Sequence, residues 1–433
     1  MLAPALVALA LEIPRSGVLV LPAGTIELAA ELKVPQGAHD LEIRGAEAGT
    51  LLRAAGNFRG RAVISVRSAA RVRIANLAID GNRAALGRPV GLPPSDAPFA
   101  RFYNNNGVLG EDVDGLAIAN VRFENVASFA ILVARSRAVR IERVRISNSG
   151  SLDPAGRNNT TGGILLEEGT ADFQVRDCVL KRVRGNGVWT HSRYGSPRNR
   201  DGLIAGNEFE DLARDAIQVG HATNVRVERN RGARIGYPVG EVDPAATPVA
   251  IDTAGNTDRS AYLFNRFEEV NGKCIDLDGF HHGEVRGNTC VNRRPRSEYP
   301  HGHFGIVMNN SNPDMQSEAI QVVENEIDGA VFGGIFAIGS GHRILRNRLR
   351  NLNLARCERD KPGCLFWPDE PDLLSAGIYL GRRAERPAVT RNNLIRDNEI
   401  EGYGMGRNCV AAAPGVALGD NRVGANRCGD ARK

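Results

Sequence analysis

Hydrophobic and polar positions alternate along this chain in short bursts, and the bursts recur. A small residue followed by Ile or Val and then an alternating pair is found at Gly107-Val108, Ala130-Ile131, Gly163-Ile164, Gly187-Val188, Ala216-Ile217, Ala250-Ile251, Cys274-Ile275, Gly305-Ile306, Gly334-Ile335, Gly377-Ile378 and Cys409-Val410. A second phrase, apolar-x-x-Asn-x-apolar, recurs at Asn207, Asn230, Asn265, Asn288, Asn325, Asn347, Asn398 and Asn421. Where no insertion intervenes, consecutive members lie about 22 to 24 residues apart. Short Val/Ile/Leu strands at that period, separated by Gly, Asn and Asp, predict a coil rather than a sandwich. Each turn supplies about three strands that stack in parallel on the next turn, and the inward residues form apolar columns. The asparagines are expected to be structural, because Asn tolerates left-handed turns and can bond the copy in the next turn.

Side chains alternate along a strand, so an inward Ile or Val fixes which neighbours face out. The first outward column reads Leu109, Leu132, Leu165, Trp189, Gln218, Asp252, Asp276, Val307, Phe336, Tyr379, Ala411. The second reads Glu111, Ala134, Glu167, His191, Gly220, Ala254, Asp278, Asn309, Ile338, Gly381, Ala413. Carboxylates gather at Asp252, Asp276 and Asp278, with Trp189 on one side and Phe336 and Tyr379 on the other. The longest insertions (154–161, 192–200, 237–247, 292–303 and 355–374) border the same strand, as the walls of a cleft would. Stacked strands lie ~4.8 Å apart and residues two apart on a strand ~6.7 Å. Asp252 and Asp276 are therefore lateral neighbours, with Asp278 one step along. Like charges so placed repel, and a shared proton, a cation or nearby basic groups must offset them. Lys273, one of five lysines beside fifty arginines, immediately precedes this strand. Six of the eight histidines (His191, His221, His281, His282, His301 and His303) fall in the middle coils, without the spacing of a zinc site.

The segment "SGVLVLPAGTIEL" (16–28) is similar to the "GG-V-x-L-P-x-G-T-Y" opening of many right-handed parallel β-helix proteins. With the repeat, the chain resembles the pectate-lyase-like superfamily over nearly its whole length. The resemblance implies an all-β, right-handed parallel β-helix of about 11–13 coils with long loops flanking one sheet. A single domain over 1–433 is expected, with 1–28 as N-terminal cap and 408–433 as C-terminal cap. Members include pectate and alginate lyases, polygalacturonases, epimerases, phage tailspikes and adhesins, so the fold does not decide activity.

The leading expectation is a glycoside hydrolase without cofactor, using Asp252, Asp276 and Asp278 with Lys273 and His282. Substrate contacts are expected from Glu167, Trp189, His191, Gln218, His221, His281, His303, Asn309, Phe336 and Tyr379. Polygalacturonases of this fold carry an Asp-Asp pair just before the Cys-Ile step, where this chain has Gly272 and Lys273. The alternative is a polysaccharide lyase or C5-epimerase acting on a uronic-acid polymer. Asp276, Asp278 and Asn309 would then hold Ca²⁺, and Lys273, His281 or His282 would act as the base. A non-catalytic glycan-binding helix is the third expectation.

Composition narrows the partners. Hydrophobic content is 42%, and no apolar run is long enough to span a membrane. The net charge of +5 comes from arginines scattered among acids, without the basic stripe or module of a nucleic-acid binder. The expected partner is a polysaccharide or oligosaccharide and the expected state a monomer, with a tailspike-like trimer as the alternative. Residues 1–12 open apolar with no Lys or Arg ahead, as either the trailing part of a secretory signal or a cap over the first coil. Among seven cysteines there is no CxxC pair. Cys357 with Cys364, and Cys409 with Cys428, are expected pairs that suit a secreted or periplasmic protein. Cys178 and Cys290 are read as small core hydrophobes.

Overall fold

The structure is a computed structural model that describes residues 11–94, 96–359 and 361–430. The signal remnant or cap expected at the first ten residues lies outside them. The chain divides between Arg214 and Asp215 into two compact units. Each is a stack of short strands paired in parallel, and together they give the right-handed parallel β-helix fold.

The repeated Ile/Val sets the register of both stacks. In the first unit Leu32, Ile64, Val108, Ile131, Ile164 and Val188 are in register from coil to coil. In the second, Ile217, Ile251, Ile275, Ile306, Ile335, Ile378 and Val410 form the same column. These coils fall within the expected range. Nearly all these side chains are buried, so each coil leans on its neighbours for a core it could not build alone.

The asparagines form a ladder in the second unit. The side-chain amide of Asn230 donates to Asn265, and the chain of donors continues through Asn288, Asn325 and Asn347 to Asn398 at 2.8–3.0 Å. Each rung also takes the backbone N–H of the Asn before it, as Asn265 Oδ1 does from Asn230 at 3.0 Å. The buried corner therefore leaves few polar groups unpaired. One assignment changes: after Asn398 the ladder runs to Asn426 (2.9 Å), while Asn421 caps a second ladder and accepts from Asn393. Both asparagines are preceded by short apolar phrases, and only the coil register separates them.

Disulfides join Cys357 to Cys364 and Cys409 to Cys428, as the sequence suggests, with Cα separations of 5.2 and 5.7 Å. Cys290 is not a free core thiol: it is bonded to Cys274. The two cysteines lie on the first and third strands of one coil, Lys273–His281 and Thr289–Val291, a proximity that sequence separation does not reveal. Cys178 is free and buried. Among the described residues no helix is long and apolar enough to cross a membrane.

Candidate active site

The second unit carries the acid cluster on the strand Lys273–His281. Its entry is tight. A Cβ at Gly272 would collide with the carbonyl oxygen of Pro248, so no acidic side chain fits there, and Lys273 follows directly. Ile275 and Leu277 point inward with no exposure, which turns Asp276 and Asp278 outward. Asp252 stands beside Asp276 on the strand Val249–Asp258, and Gln218 stands beside Asp252. The Gln218 amide donates to Asp252 Oδ2 at 2.7 Å. The Lys273 ammonium forms an ion pair with Asp276 Oδ2, while Asp276 Oδ1 is buried with no hydrogen-bond partner. Asp278 accepts from the Ser311 N–H (2.8 Å) and the Ser311 hydroxyl (2.6 Å).

The three carboxyls share one problem, and the site meets it unequally. Burial, then repulsion from Asp215 and Asp276, pushes the Asp252 pKa well above its usual range. Burial and the neighbouring Asp276 raise Asp278 to about 6, against the bonds from Ser311. Burial opposes the charge on Lys273, but Asp276, Asp252 and Asp278 outweigh it and hold its pKa above the ordinary lysine value. The offset to the clustered acids is thus the lysine, with the pKa values of Asp252 and Asp278 raised.

A cleft of about 110 Å³ opens beside Lys273. Its walls include His303, Phe304, Phe336, Phe366 and Trp367. The last two come from the 355–374 insertion, closed at its base by the Cys357–Cys364 disulfide. The guanidinium of Arg383 lies 4.5 Å from the centre of the Trp367 ring and steadies it. Burial, then the charge of Lys273, depresses His303 to about 3, so its imidazole is neutral. The His303 Nδ1 has no hydrogen-bond partner.

Other expected residues are sorted by this geometry. Asn309 lies beside Asp278 in register and lines the cleft with Phe336. Tyr379 is 1% exposed, stacks on Phe336 and donates its hydroxyl to Glu370 at 3.0 Å, so it supports the wall and offers no face to a substrate. His221 is buried at a left-handed corner against Gly255. His282 is not part of the acid cluster. It occupies the left-handed turn after the strand ends, with His281 at the strand's last position bonded to the Gly279 carbonyl at 3.1 Å. The corner carries both rings away because a coil bends where a flat strand would continue.

In the first unit the same outward columns exist but are covered. Leu109, Leu132, Leu165 and Trp189 pack under the helix Phe99–Phe102 and Tyr103 in one buried cluster. Trp189 is 7% exposed and meets Phe99 edge-to-face at 4.9 Å, so it is a core residue and not a sugar platform. Glu167 is fully buried and accepts the N–H groups of Phe99 (2.9 Å) and Ala100 (2.6 Å). Burial raises its pKa to about 7 despite those bonds. His191 packs against Phe99 and Trp189. The expected substrate contacts at Glu167, Trp189 and His191 are therefore replaced by structural ones. Sequence reading missed the covering segment, although its "PFARFY" (98–103) is dense in aromatics. It also missed Phe366, Trp367 and Ser311.

Two sets of donors bear on metals. Glu167, Glu168 and His191 bring ligand atoms within 4.8 Å of one another. Their carboxylates are already engaged, Glu167 by backbone and Glu168 by Arg193 at 3.0 and 3.1 Å. Asp276, Asp278 and Asn309, the Ca²⁺ set of the lyase expectation, do not fit a cation as arranged. An ammonium holds Asp276, Ser311 occupies both oxygens of Asp278, and Asn309 Oδ1 accepts the N–H of Asn310 at 2.8 Å.

Residues 57–236 match the family model described as right-handed beta helix region. No curated protein matches the chain in sequence. The Agl-KA catalytic domain is 13% identical, with 96% of this chain and 62% of that one covered at a TM-score of 0.53. DFA-IIIase from Arthrobacter chlorophenolicus A6, in complex with GF2, is 14% identical, with 94% and 87% covered at 0.52. ORF18 of Geobacillus virus E2 is 13% identical, with 72% of this chain covered at 0.50, and this chain spans about half (53%) of its length. At these identities the likenesses show the fold alone.

Proposed function

We propose that this right-handed parallel β-helix is a carbohydrate-active enzyme that hydrolyses a glycosidic bond at Asp276 and Asp278. One observation carries the reading: two outward carboxyls one step apart on a strand have opposite surroundings. Asp276 is paired with an ammonium, while burial and Asp276 raise Asp278 to about 6. A carboxyl raised by burial, next to one paired with an ammonium, suits an acid and base pair. Asp278 gives its proton to the leaving glycosidic oxygen as the C–O bond breaks. Asp276 takes a proton from the water whose oxygen attacks the anomeric carbon, and proton exchange with solvent then resets both groups. Lys273 keeps Asp276 in place, and Gln218 holds Asp252 beside it. The backbone spacing of ~6.7 Å leaves room for that water, so the expected outcome is inversion.

The exposed Phe366 and half-buried Trp367, backed by buried Phe304 and Phe336, suit sugar-ring faces. Carbohydrate-active enzymes among the fold neighbours, Agl-KA and DFA-IIIase, agree with this at the level of fold. Three disulfides favour export to an oxidising compartment. The test is a polysaccharide screen read by reducing ends, with Asp278→Asn as control. A fully active Asp278→Asn protein removes the assignment.

A second reading rests on His303. A neutral imidazole beside Lys273 is placed to take a C5 proton from a uronic acid, with Lys273 facing its carboxylate. That lyase would give products with unsaturated ends, seen by ultraviolet absorbance, and no net uptake of water. Glycan binding without new reducing or unsaturated ends would leave a non-catalytic binder.

A further inference from the structure

The first unit contains a separate cavity of about 530 Å³, within the range of pockets that hold small ligands. Four arginines line it, Arg53, Arg83, Arg88 and Arg184, against one carboxylate, Asp80. Asp80 forms an ion pair with Arg53 at 3.6 Å, and its Oδ1 accepts the N–H of Asn82 at 2.9 Å. Arg88 donates Nη1 to the carbonyls of Ala85 (3.0 Å) and Gly87 (2.7 Å), which anchors its guanidinium at the cavity. Arg83 reaches the Gly150 carbonyl at 3.4 Å. The result is a concave, arginine-rich surface among the described residues, with guanidinium groups anchored on backbone carbonyls.

We propose that this cavity binds an oxyanion, carboxylate or sulfate, carried on a sugar. Guanidinium forks match both oxyanions in bidentate geometry. The cavity is a compact pocket rather than a stripe, and no aromatic ring lines it on which a base could stack. Those two features favour an acidic saccharide over a nucleic acid. The site is independent of the chemistry at Asp276 and Asp278, and it makes the first unit a binding module in its own right.

The test uses the full chain and isothermal titration with four probes: a trigalacturonate, a sulfated tetrasaccharide, neutral maltotriose and inorganic sulfate. The protein is wild type, Arg53→Gln/Arg88→Gln and Asp278→Asn. Arg53 and Arg88 are exposed, so the double variant keeps its fold, checked by circular dichroism. The expected result is binding of at least one acidic saccharide that weakens about tenfold or more in the arginine variant and with rising salt. Asp278→Asn should bind as wild type does. Equal binding by the arginine variant overturns the site. Equal affinity for maltotriose or for inorganic sulfate overturns the ligand class, as does displacement of the saccharide by a single-stranded oligonucleotide. Loss of cleavage in Asp278→Asn without loss of this binding separates the proposal from the hydrolase reading.

Discussion

One strand position of the repeat has two fates in this protein. In the first unit its outward face reads Leu109, Leu132, Leu165 and Trp189, and an inserted segment bearing the helix Phe99–Phe102 seals it into a second core. In the second unit the same position reads Gln218, Asp252 and Asp276, which are also buried, and a cleft walled in part by the 355–374 insertion opens beside Lys273. Both faces contain a carboxyl raised by burial, Glu167 to about 7 and Asp278 to about 6. Glu167 accepts two backbone N–H groups in a sealed core, whereas Asp278 is bonded by Ser311, beside Asn309 at a cleft. A perturbed carboxyl is thus a functional candidate only where a substrate can reach it.

The largest effect should separate the two faces outright. Asp278→Asn is expected to lower kcat by roughly 10²–10⁴-fold with an unchanged melting temperature, measured by reducing-end release and calorimetry. Glu167→Gln should leave kcat within about twofold; a comparable loss there would end the contrast. Next, Trp189→Ala should destabilise by about 3–5 kcal/mol in urea unfolding, because it empties a packed cluster, without altering KM.

The two raised carboxyls also predict opposite pH readouts. Asp278 works protonated, so kcat/KM should fall as pH rises through about 6. For Glu167 the folded pKa lies above the unfolded one, so the folded state holds more protons between them. Stability is then full below about 4.5 and is lost as pH rises to about 7, by about 3 kcal/mol. Glu167→Gln should flatten that slope in pH-dependent denaturation. A smaller effect is expected of Trp367→Ala, about a tenfold rise in KM with kcat nearly kept, read from saturation kinetics. The smallest is Cys357→Ser/Cys364→Ser, a few-fold rise in KM as the loop carrying Phe366 and Trp367 loosens, with unfolding of the remainder little changed.

The sequence by itself determined the coil. Period, inward Ile/Val and the Asn phrase are local and repetitive, and each coil's packing repeats its neighbour's, so a linear reading finds the register. It also brought Asp252, Asp276, Asp278 and Lys273 together, because alternation on a strand and stacking of coils are fixed geometry. Only the tertiary structure decided which part of that face is open. Insertions do not follow the repeat: the 355–374 segment builds a wall with Phe366 and Trp367, while the segment before Tyr103 buries Trp189 and Glu167. Where a strand turned a corner, as at His281 and His282, alternation along the strand ceased to fix where a side chain points. Cys274 and Cys290 met because a coil returns distant residues to one another. Long-range closure of this kind is set by the packing of whole coils, which no local pattern encodes.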